Sequence, residues 1–315
     1  MYISVVMASY NGEKTILNQL DTLRLQTLQP DEVLIFDDCS TDRTKELVSN
    51  YIIRYSLSGW KLYENEENIG WKRNFFEGIR KSSGDIVFLC DQDDKWYPNK
   101  IAAMTKTILA YDEIQLLSCD MRILYQQEAI KAKKYKETKR ERSGETTQYG
   151  FTKHFFMNPR PGCSYAIRRS FFDEVSGGWK EFYPHDEFLW LMAALQDGAY
   201  FQNTVLMDYI RSEQSVSDIR YKDIAMQQKN LAYIMSMLSN MEQYSIDNPE
   251  KVPKERLEMI RTAKVWCEKR EHLMKTRNPF CWIMLMPYWG YYNSVKNCLS
   301  DLYLVLFGSF RRRAI

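Results

Sequence analysis

Four short apolar runs, separated by segments of helical periodicity, fill the first 91 residues, and they restrict the fold more than any other feature. Residues 2–8 (YISVVMA) are rich in β-branched side chains and close on the turn-prone SYNG, which suits a buried strand. KTILNQLDTLRLQT then places apolar residues at 16, 17, 20, 23 and 25, a helical stripe that Pro30 ends. VLIFDD (33–38) is a second buried strand, and Ser40-Thr41-Asp42 offers an N-cap to a helix through TKELVSNYIIRYS. WKLYENE reads as a third, weaker strand, NFFEGIRKSSG as a helix ending at Gly84, and DIVFLCD as a fourth strand. Strands alternating with helices of this length imply an α/β fold with a doubly wound, mostly parallel sheet. Ligands of such sheets bind outside the carboxyl ends of the strands. Three polar clusters fall at those ends: Ser9-Tyr10-Asn11, Asp37-Asp38, and Asp91 to Asp94. They are expected to converge in one cleft.

The last cluster is the most demanding. In FLCDQDDKWYPNKI an apolar strand runs straight into Asp91, Asp93 and Asp94. Uncompensated, neighbouring carboxylates repel and one tends to hold its proton, so a cation is expected beside them. Mg²⁺ and Mn²⁺ prefer carboxylates plus substrate phosphates to cages made wholly of protein. Such an ion bridges the protein to a diphosphate and neutralises charge on it as it departs. The competing use is a turn in which Asp93 or Asp94 caps the next helix, and D-x-D alone does not separate the two.

With 315 residues the chain has room for one large domain and a smaller appendage, or for two domains. The net charge of +2 exerts no global pull toward nucleic acid. Seven cysteines occur singly, without a C-x-x-C pair, which argues against a disulfide framework or a zinc site and fits a reducing cytoplasm. The N-terminus reads as a strand, not a signal peptide. No run of 18 clean apolar residues exists, so no transmembrane helix is expected. Beyond residue 100, LLSCDMRIL (116–124) reads as a strand, and the basic stretch 131–148 as an exposed, mobile loop beside the site. Amphipathic helices are expected near 223–245 and 253–276, dividing the chain into a domain over 1–222 and a helical region over 223–315. The last segment, from NPFCWIMLMPYWGYY to RRRAI, is rich in aromatic and apolar residues, broken by Pro287 and Gly290, and ends in three arginines. It suits interfacial association with an anionic membrane surface. The alternative is a helical pair packed on the catalytic domain or forming a homodimer.

Five segments now stand in order: VVMASYNGE, VLIFDDCSTDRT, NIGWKRNF, GDIVFLCDQDDKWYPNKI and YPHDEFLW. Together they resemble the family-2 inverting glycosyltransferases of the GT-A fold, over residues 2–217. NIGWKRNF, DQDDKW and GCSYAIRRSFF are most similar to bacterial rhamnosyltransferases of cell-surface polysaccharide assembly. The resemblance implies a nucleotide diphosphate sugar donor, with dTDP-rhamnose ahead of UDP-galactose or UDP-glucose. It also implies Mn²⁺ or Mg²⁺, an oligosaccharide or lipid-linked acceptor, and a cytoplasmic enzyme peripheral to the inner face of the cell membrane.

It implies site residues as well. Ala8, Tyr10, Asn11 and Glu13 belong to the loop that holds the nucleotide, where Tyr10 either stacks on base or ribose or packs a strand end. Asp38 accepts from the pyrimidine N3–H, or serves an Asx turn. Asn68 and Lys72 or Arg73 line the diphosphate side, although the two basic residues suit a solvated helix face equally. Asp91 lies near ribose or metal, with Asp93 and Asp94 as metal ligands. Asp186 is the catalytic base and Glu187 its rival. His185 orients Asp186, contacts the acceptor, or simply packs. Pro161-Gly162-Cys163 is an acceptor-side loop, where glycine permits close backbone approach. Cys163 is a packed residue and not a nucleophile, because inversion needs no covalent intermediate. One departure stands out. Many relatives carry a histidine after a Tyr-x-Arg segment, whereas DYIRSEQSVS has Ser212 near that position. Arg211 is the substitute phosphate contact, since a guanidinium grips phosphate oxygens bidentately.

Two other readings compete. A sugar nucleotidyltransferase needs a glycine-rich basic loop after the first strand, and ASYNGEK is poor in glycine. A non-catalytic sugar-binding subunit has no use for a base, and the set Asp38, Asp91, Asp93, Asp94 and Asp186 argues against it.

Overall fold

Strands β1 (Ile3–Ser9), β2 (Glu32–Asp37) and β4 (Ile86–Asp91) are almost wholly enclosed along their length. Continuous apolar runs of this kind belong to parallel strands covered on both faces. In this computed structural model, which describes residues 1–125, 144–156, 160–211 and 223–307, they lie parallel in the order β3-β2-β1-β4. The weaker third strand, β3 (Trp60–Glu64), is the partly exposed edge. Helices α1 (Ile16–Arg24), α2 (Thr44–Arg54) and α3 (Trp71–Lys81) connect them. The register sets Ala8 opposite both Phe36 and Asp91, and Ser9 opposite Asp37. The polar ends of the three central strands are therefore level with one another.

The expected N-cap of α2 is displaced. The helix begins at Thr44, and Asp42 accepts from the Thr44 backbone N–H at 2.9 Å. Ser40 instead donates to Asp37.

After β4 the pattern changes. β5 (Lys95–Trp96), α4 (Lys100–Ala110), β6 (Leu116–Tyr125), β7 (Thr146–Gln148), β8 (Tyr165–Arg168), α5 (Arg169–Val175), α6 (His185–Leu195) and β9 (Ala199–Arg211) follow in order. β8 runs antiparallel between β4 and β6, while β9 is parallel to β6 and antiparallel to β5 and β7. The result is a nine-stranded mixed sheet. The strand expected at 116–124 is β6. β9 was not legible as a strand: its 13 residues alternate irregularly in burial, and its register with β6 shifts around Asp120.

The described residues divide into two compact units. The first holds 1–125, 144–149, 160–193 and 197–211; the second holds 150–156, 194–196 and 223–307. In the second, α7 (Ile224–Asp247) and α8 (Lys254–Thr276) are followed by a 3₁₀ run, Pro279–Tyr291, and by α9 (Val295–Phe307). Asp223 caps α7 by accepting from Met226 N–H at 2.8 Å. Among the described residues no helix is long and apolar enough to cross a membrane. Most of the basic stretch at 131–148, Ser212 and the arginines at 311–313 lie outside the described residues.

Candidate active site

Two loops at the ends of β1 and β2 are stitched together by short polar side chains. Asn11 N–H donates to Ser40 Oγ (2.9 Å), and Thr41 N–H donates to Asn11 Oδ1 (2.9 Å). Gly12 N–H donates to Thr44 Oγ1 (2.7 Å), and Glu13 N–H to Asp42 (3.0 Å). Asn11 and Glu13 thus brace the loop, while Tyr10 is left 47% exposed above it. The Tyr10 backbone is clamped by Gln92, whose amide accepts from Tyr10 N–H (3.0 Å) and donates to Tyr10 C=O (2.9 Å). A Cβ on Gly12 would stand 2.2 Å from Gln92 Oε1, so a side chain there would displace the Gln92 amide from that clamp. Gln92 was missed in the sequence, although an amide between two aspartates was a visible signal.

Asp37 and Asp38 serve different ends. Asp37 is fully enclosed and ties Ser9 to Ser40. Asp38 anchors the next loop: Oδ1 accepts from Asn65 (2.9 Å) and Ile69 N–H (2.8 Å), and Oδ2 from Gly70 N–H (2.8 Å). Asn68 donates to the Asp38 carbonyl at 3.2 Å. Arg73 pairs with Glu181 at 3.2 Å, and Lys72 donates to Phe182 C=O at 2.8 Å. Lys72 and Arg73 are therefore both tied to the 181–182 loop.

At the end of β4 the expected conflict of charge is present. The ligating atoms of Asp91, Asp94 and Cys163 lie within 4.8 Å of one another. Burial, then the charges of Asp94 and Asp93, push Asp91 well above the usual carboxylate range. Burial pushes Asp94 up to about 7, with Asp93 adding to the shift. Burial also raises Asp93, with Arg211 opposing. Cys163 is raised well above the thiol range, chiefly by burial, and so stays neutral. Asp94 is only 2% exposed; its Oδ1 accepts from Ile210 N–H at 3.2 Å, the Cys163 thiol beside it lowers its pKa somewhat against the burial, and among the described residues its Oδ2 meets no N–H or O–H donor. It caps no helix and is not a surface carboxylate. Instead, Asp94 groups with Asp91, and Asp93 is the half-buried member that feels Arg211.

The cation anticipated beside these acids is supplied in part by the chain. Lys100, at the start of α4, is completely enclosed. Its Nζ donates to Cys163 C=O at 2.8 Å and sits 3.7 Å from the centre of the Trp96 ring. One lysine does not balance three carboxylates. Hard oxygen donors, an enclosed oxygen that meets no N–H or O–H donor and a neutral thiol fit Mn²⁺ or Mg²⁺ and disfavour a thiolate-bound metal.

The acceptor-side residues meet at the start of α6. A Cβ on Gly162 would stand 2.9 Å from Asp186 Cβ and 3.0 Å from His185 Nε2, so the glycine permits this approach. Asp186 Oδ1 accepts from Glu187 N–H at 2.9 Å, and the Asp186 charge is close enough to raise Asp91 further. His185 does not orient Asp186 through a hydrogen bond. It stacks on Phe75 (4.3 Å) and meets Trp71 edge-on (5.6 Å), with neither ring nitrogen partnered. Burial pushes it down to about 4, so the imidazole is neutral near pH 7. Arg211 Nη1 donates to Tyr209 Oη at 3.1 Å, adding Tyr209, also missed in the sequence, to this side of the site.

Known proteins share the family and the fold of this chain. A family model described as "Glycosyl transferase family 2" matches residues 4–176. The poly(ribitol-phosphate) beta-N-acetylglucosaminyltransferase TarS of Staphylococcus aureus is 35% identical over 102 residues, which are 32% of this chain and 17% of TarS. The UDP-Glc:alpha-D-GlcNAc-diphosphoundecaprenol beta-1,3-glucosyltransferase WfgD of Escherichia coli is 32% identical over 107 residues, 34% of this chain and 41% of WfgD. The chain thus matches less than half the length of these curated relatives. The structure of TarS 1–349 with UDP-GlcNAc is similar with a TM-score of 0.60 at 16% identity, covering 99% of this chain and 92% of that one. GalNAc-T7 with UDP, GalNAc and Mn²⁺ is similar with a TM-score of 0.55 at 17% identity, covering 82% and 54%. These two likenesses speak to the fold alone.

Proposed function

Because the chain belongs to glycosyl transferase family 2, we propose that it is a metal-dependent inverting glycosyltransferase acting in bacterial surface polysaccharide synthesis. Its donor is a pyrimidine nucleotide diphosphate sugar, and its acceptor a growing, lipid-linked oligosaccharide. The observation that carries the reading is the excess of enclosed carboxylates at the end of β4 with a further carboxylate, Asp186, close enough to act on Asp91. A structural ion pair is completed by its own chain; this cluster is not.

Exposed Tyr10 is placed to stack on the base or ribose, beside Ala8 at the end of β1. The second lone pair of Asp38 Oδ2 is assigned to the pyrimidine N3–H, and Asn68 flanks it. Asp91, Asp93 and Asp94 would hold Mn²⁺ or Mg²⁺, which would supply positive charge to the diphosphate leaving group. Arg211, beside Asp93, adds a guanidinium to the same oxygens. Asp186 takes the proton of the acceptor hydroxyl as that oxygen attacks the anomeric carbon from the face opposite the diphosphate. The new glycosidic bond forms as the bond to the diphosphate breaks, so configuration inverts once. Glu187 follows Asp186 on the helix and is the control for this assignment. Seven unpaired cysteines suit a cytoplasmic reaction.

For the sugar, the motif likeness favours L-rhamnose, whereas TarS and WfgD are named for N-acetylglucosaminyl and glucosyl transfer. A thermal-shift panel of dTDP-rhamnose, UDP-glucose, UDP-GlcNAc and GDP-mannose with Mn²⁺ distinguishes them, since a bound donor raises the melting temperature. Equal calorimetric affinity for GDP and UDP would overturn the pyrimidine pocket. Asp186→Asn is expected to lower turnover by about a hundredfold or more with donor affinity retained. Retained anomeric configuration by proton NMR, or an active Asp186→Asn enzyme beside an inactive Glu187→Gln, would remove Asp186 as base.

A further inference from the structure

We propose that the 3₁₀ run and α9 of the C-terminal unit form a docking face for an anionic phospholipid surface. The face stands on its own side chains and does not depend on the identity of the donor. α9 is apolar on two opposite sides. Cys298, Leu304 and Val305 are buried, as expected of a packed helix. Yet Val295, Leu299, Tyr303 and Phe307, spaced four residues apart along a single stripe, are 61, 51, 57 and 50% exposed. An exposed apolar stripe opposite the packed side of a helix marks a surface that meets a protein or a membrane. The exposed stripe continues onto the 3₁₀ run: Trp282, Met286 and Trp289 share a groove of about 310 Å³ with Val295 and Leu299. Phe280 and Ile283, in the same run, are also largely exposed. Trp282 Nε1–H donates to Cys298 C=O at 3.0 Å and holds the two elements together.

Charge selects the occupant. Among the described residues from 277 onward the cations are Arg277 and Lys296 and the sole acid is Asp301; the sequence that follows α9, outside the described residues, adds three arginines and no acidic side chain. Asp301 is 1% exposed and bonded to Arg270, so it presents no negative charge to a partner. A second copy of this chain docked symmetrically would bring the same cations against themselves. An anionic bilayer attracts them, and tryptophan and tyrosine suit the headgroup level. Since no described helix is both long and apolar enough to span, the elements lie in the plane of the interface, with apolar side chains inserted.

The test is flotation of the full chain with vesicles of phosphatidylcholine alone or mixed with phosphatidylglycerol. Binding to the mixed vesicles is expected to be at least about tenfold tighter and to weaken with salt. The variants Leu299→Glu and Tyr303→Glu, both at exposed positions, are expected to lose about tenfold or more of that binding while melting as the parent does. Lys296→Glu is expected to reduce it by a smaller factor. Trp289→Phe should diminish the blue shift of tryptophan fluorescence on vesicle addition. The proposal is overturned if the full chain ignores both vesicle types or binds them equally. It is also overturned if the chain sediments as a dimer that the glutamate variants dissociate.

Discussion

Asp301 in the C-terminal unit and Asp94 at the end of β4 are almost equally enclosed, at 1 and 2% exposure. Their surroundings differ completely. Asp301 accepts from Arg270 Nε (2.7 Å) and Nη2 (3.0 Å), from Tyr292 Oη (2.7 Å) and from Gln227 Nε2 (3.2 Å). Arg270 in turn packs against the rings of Trp266 and Tyr292, 4.6 and 4.8 Å from their centres. Among the described residues Asp94 has one backbone donor, the weak donor of the Cys163 thiol, an oxygen that meets no N–H or O–H, two acidic neighbours and a single lysine nearby. Burying a charge is costly unless it is paired and hydrogen-bonded. The first cluster meets that requirement with its own chain and ties α8 to α9. The second does not, and unfinished charge in a cleft is the mark of a site that a ligand completes.

The largest effect should come from breaking the incomplete cluster. Asp93→Asn is expected to lower Mn²⁺-dependent turnover by about a hundredfold or more, the scale for losing a group that stabilises developing charge. Because Asp93 is half-buried and its neighbours are already repulsive, the melting temperature without metal should not fall. Unchanged turnover with Mn²⁺ chelated would end the metal assignment.

The complete cluster should respond in stability. Asp301→Ala leaves Arg270 buried without its partner, a loss of about 3–5 kcal/mol for a broken enclosed pair. Urea unfolding measures it, and a loss below about 1 kcal/mol would mean the pair is dispensable.

A smaller, pH-dependent effect separates the two clusters further. Asp94 titrates near 7 in the folded chain, above the value of about 3.9 for an unperturbed aspartate. The folded state therefore holds a proton that the unfolded chain has released, and the associated stability fades as pH rises through 7. A divalent ion replaces that proton, so the rise in melting temperature produced by Mn²⁺ should grow between about pH 6 and 8. His185, neutral above about 4, contributes to neither side of that difference. A Mn²⁺ effect independent of pH would contradict the protonated cluster.

Arg73→Ala sets the lower bound. Its pair with Glu181 is exposed, 45 and 70% for the two side chains, so the expected change is about 0–1 kcal/mol. Donor affinity by calorimetry should barely move. A tenfold loss, about 1.4 kcal/mol, would return Arg73 to the diphosphate side.

The parallel half of the sheet was legible because its signals are local. Runs such as ISVVMAS and VLIFD, helical stripes between them and polar residues at strand ends need no knowledge of the rest of the chain. The same holds for α7 and α8, whose periodicity located them to within a few residues. Level strand ends followed from pairing in register, and with them the meeting of Tyr10, Asp38 and Asp91. Residues after β4 were harder, because short antiparallel strands such as β8 acquire their pattern from neighbours far along the chain.

What the amino-acid order determined by itself is thus the α/β frame and the set of carboxylates delivered to one edge. Which carboxylate is enclosed, and what answers its charge, was decided by tertiary packing. Lys100 reads in the sequence as an ordinary helix lysine. It becomes the enclosed counter-charge because its ammonium reaches a carbonyl 63 positions away, at Cys163, and the face of Trp96. His185 in the sequence can orient Asp186, contact the acceptor or simply pack; tertiary packing sets it against Phe75 and Trp71, and burial keeps its imidazole neutral. Periodicity is a property of neighbours in the chain. Burial, and the pKa shifts that follow from it, is a property of neighbours in space.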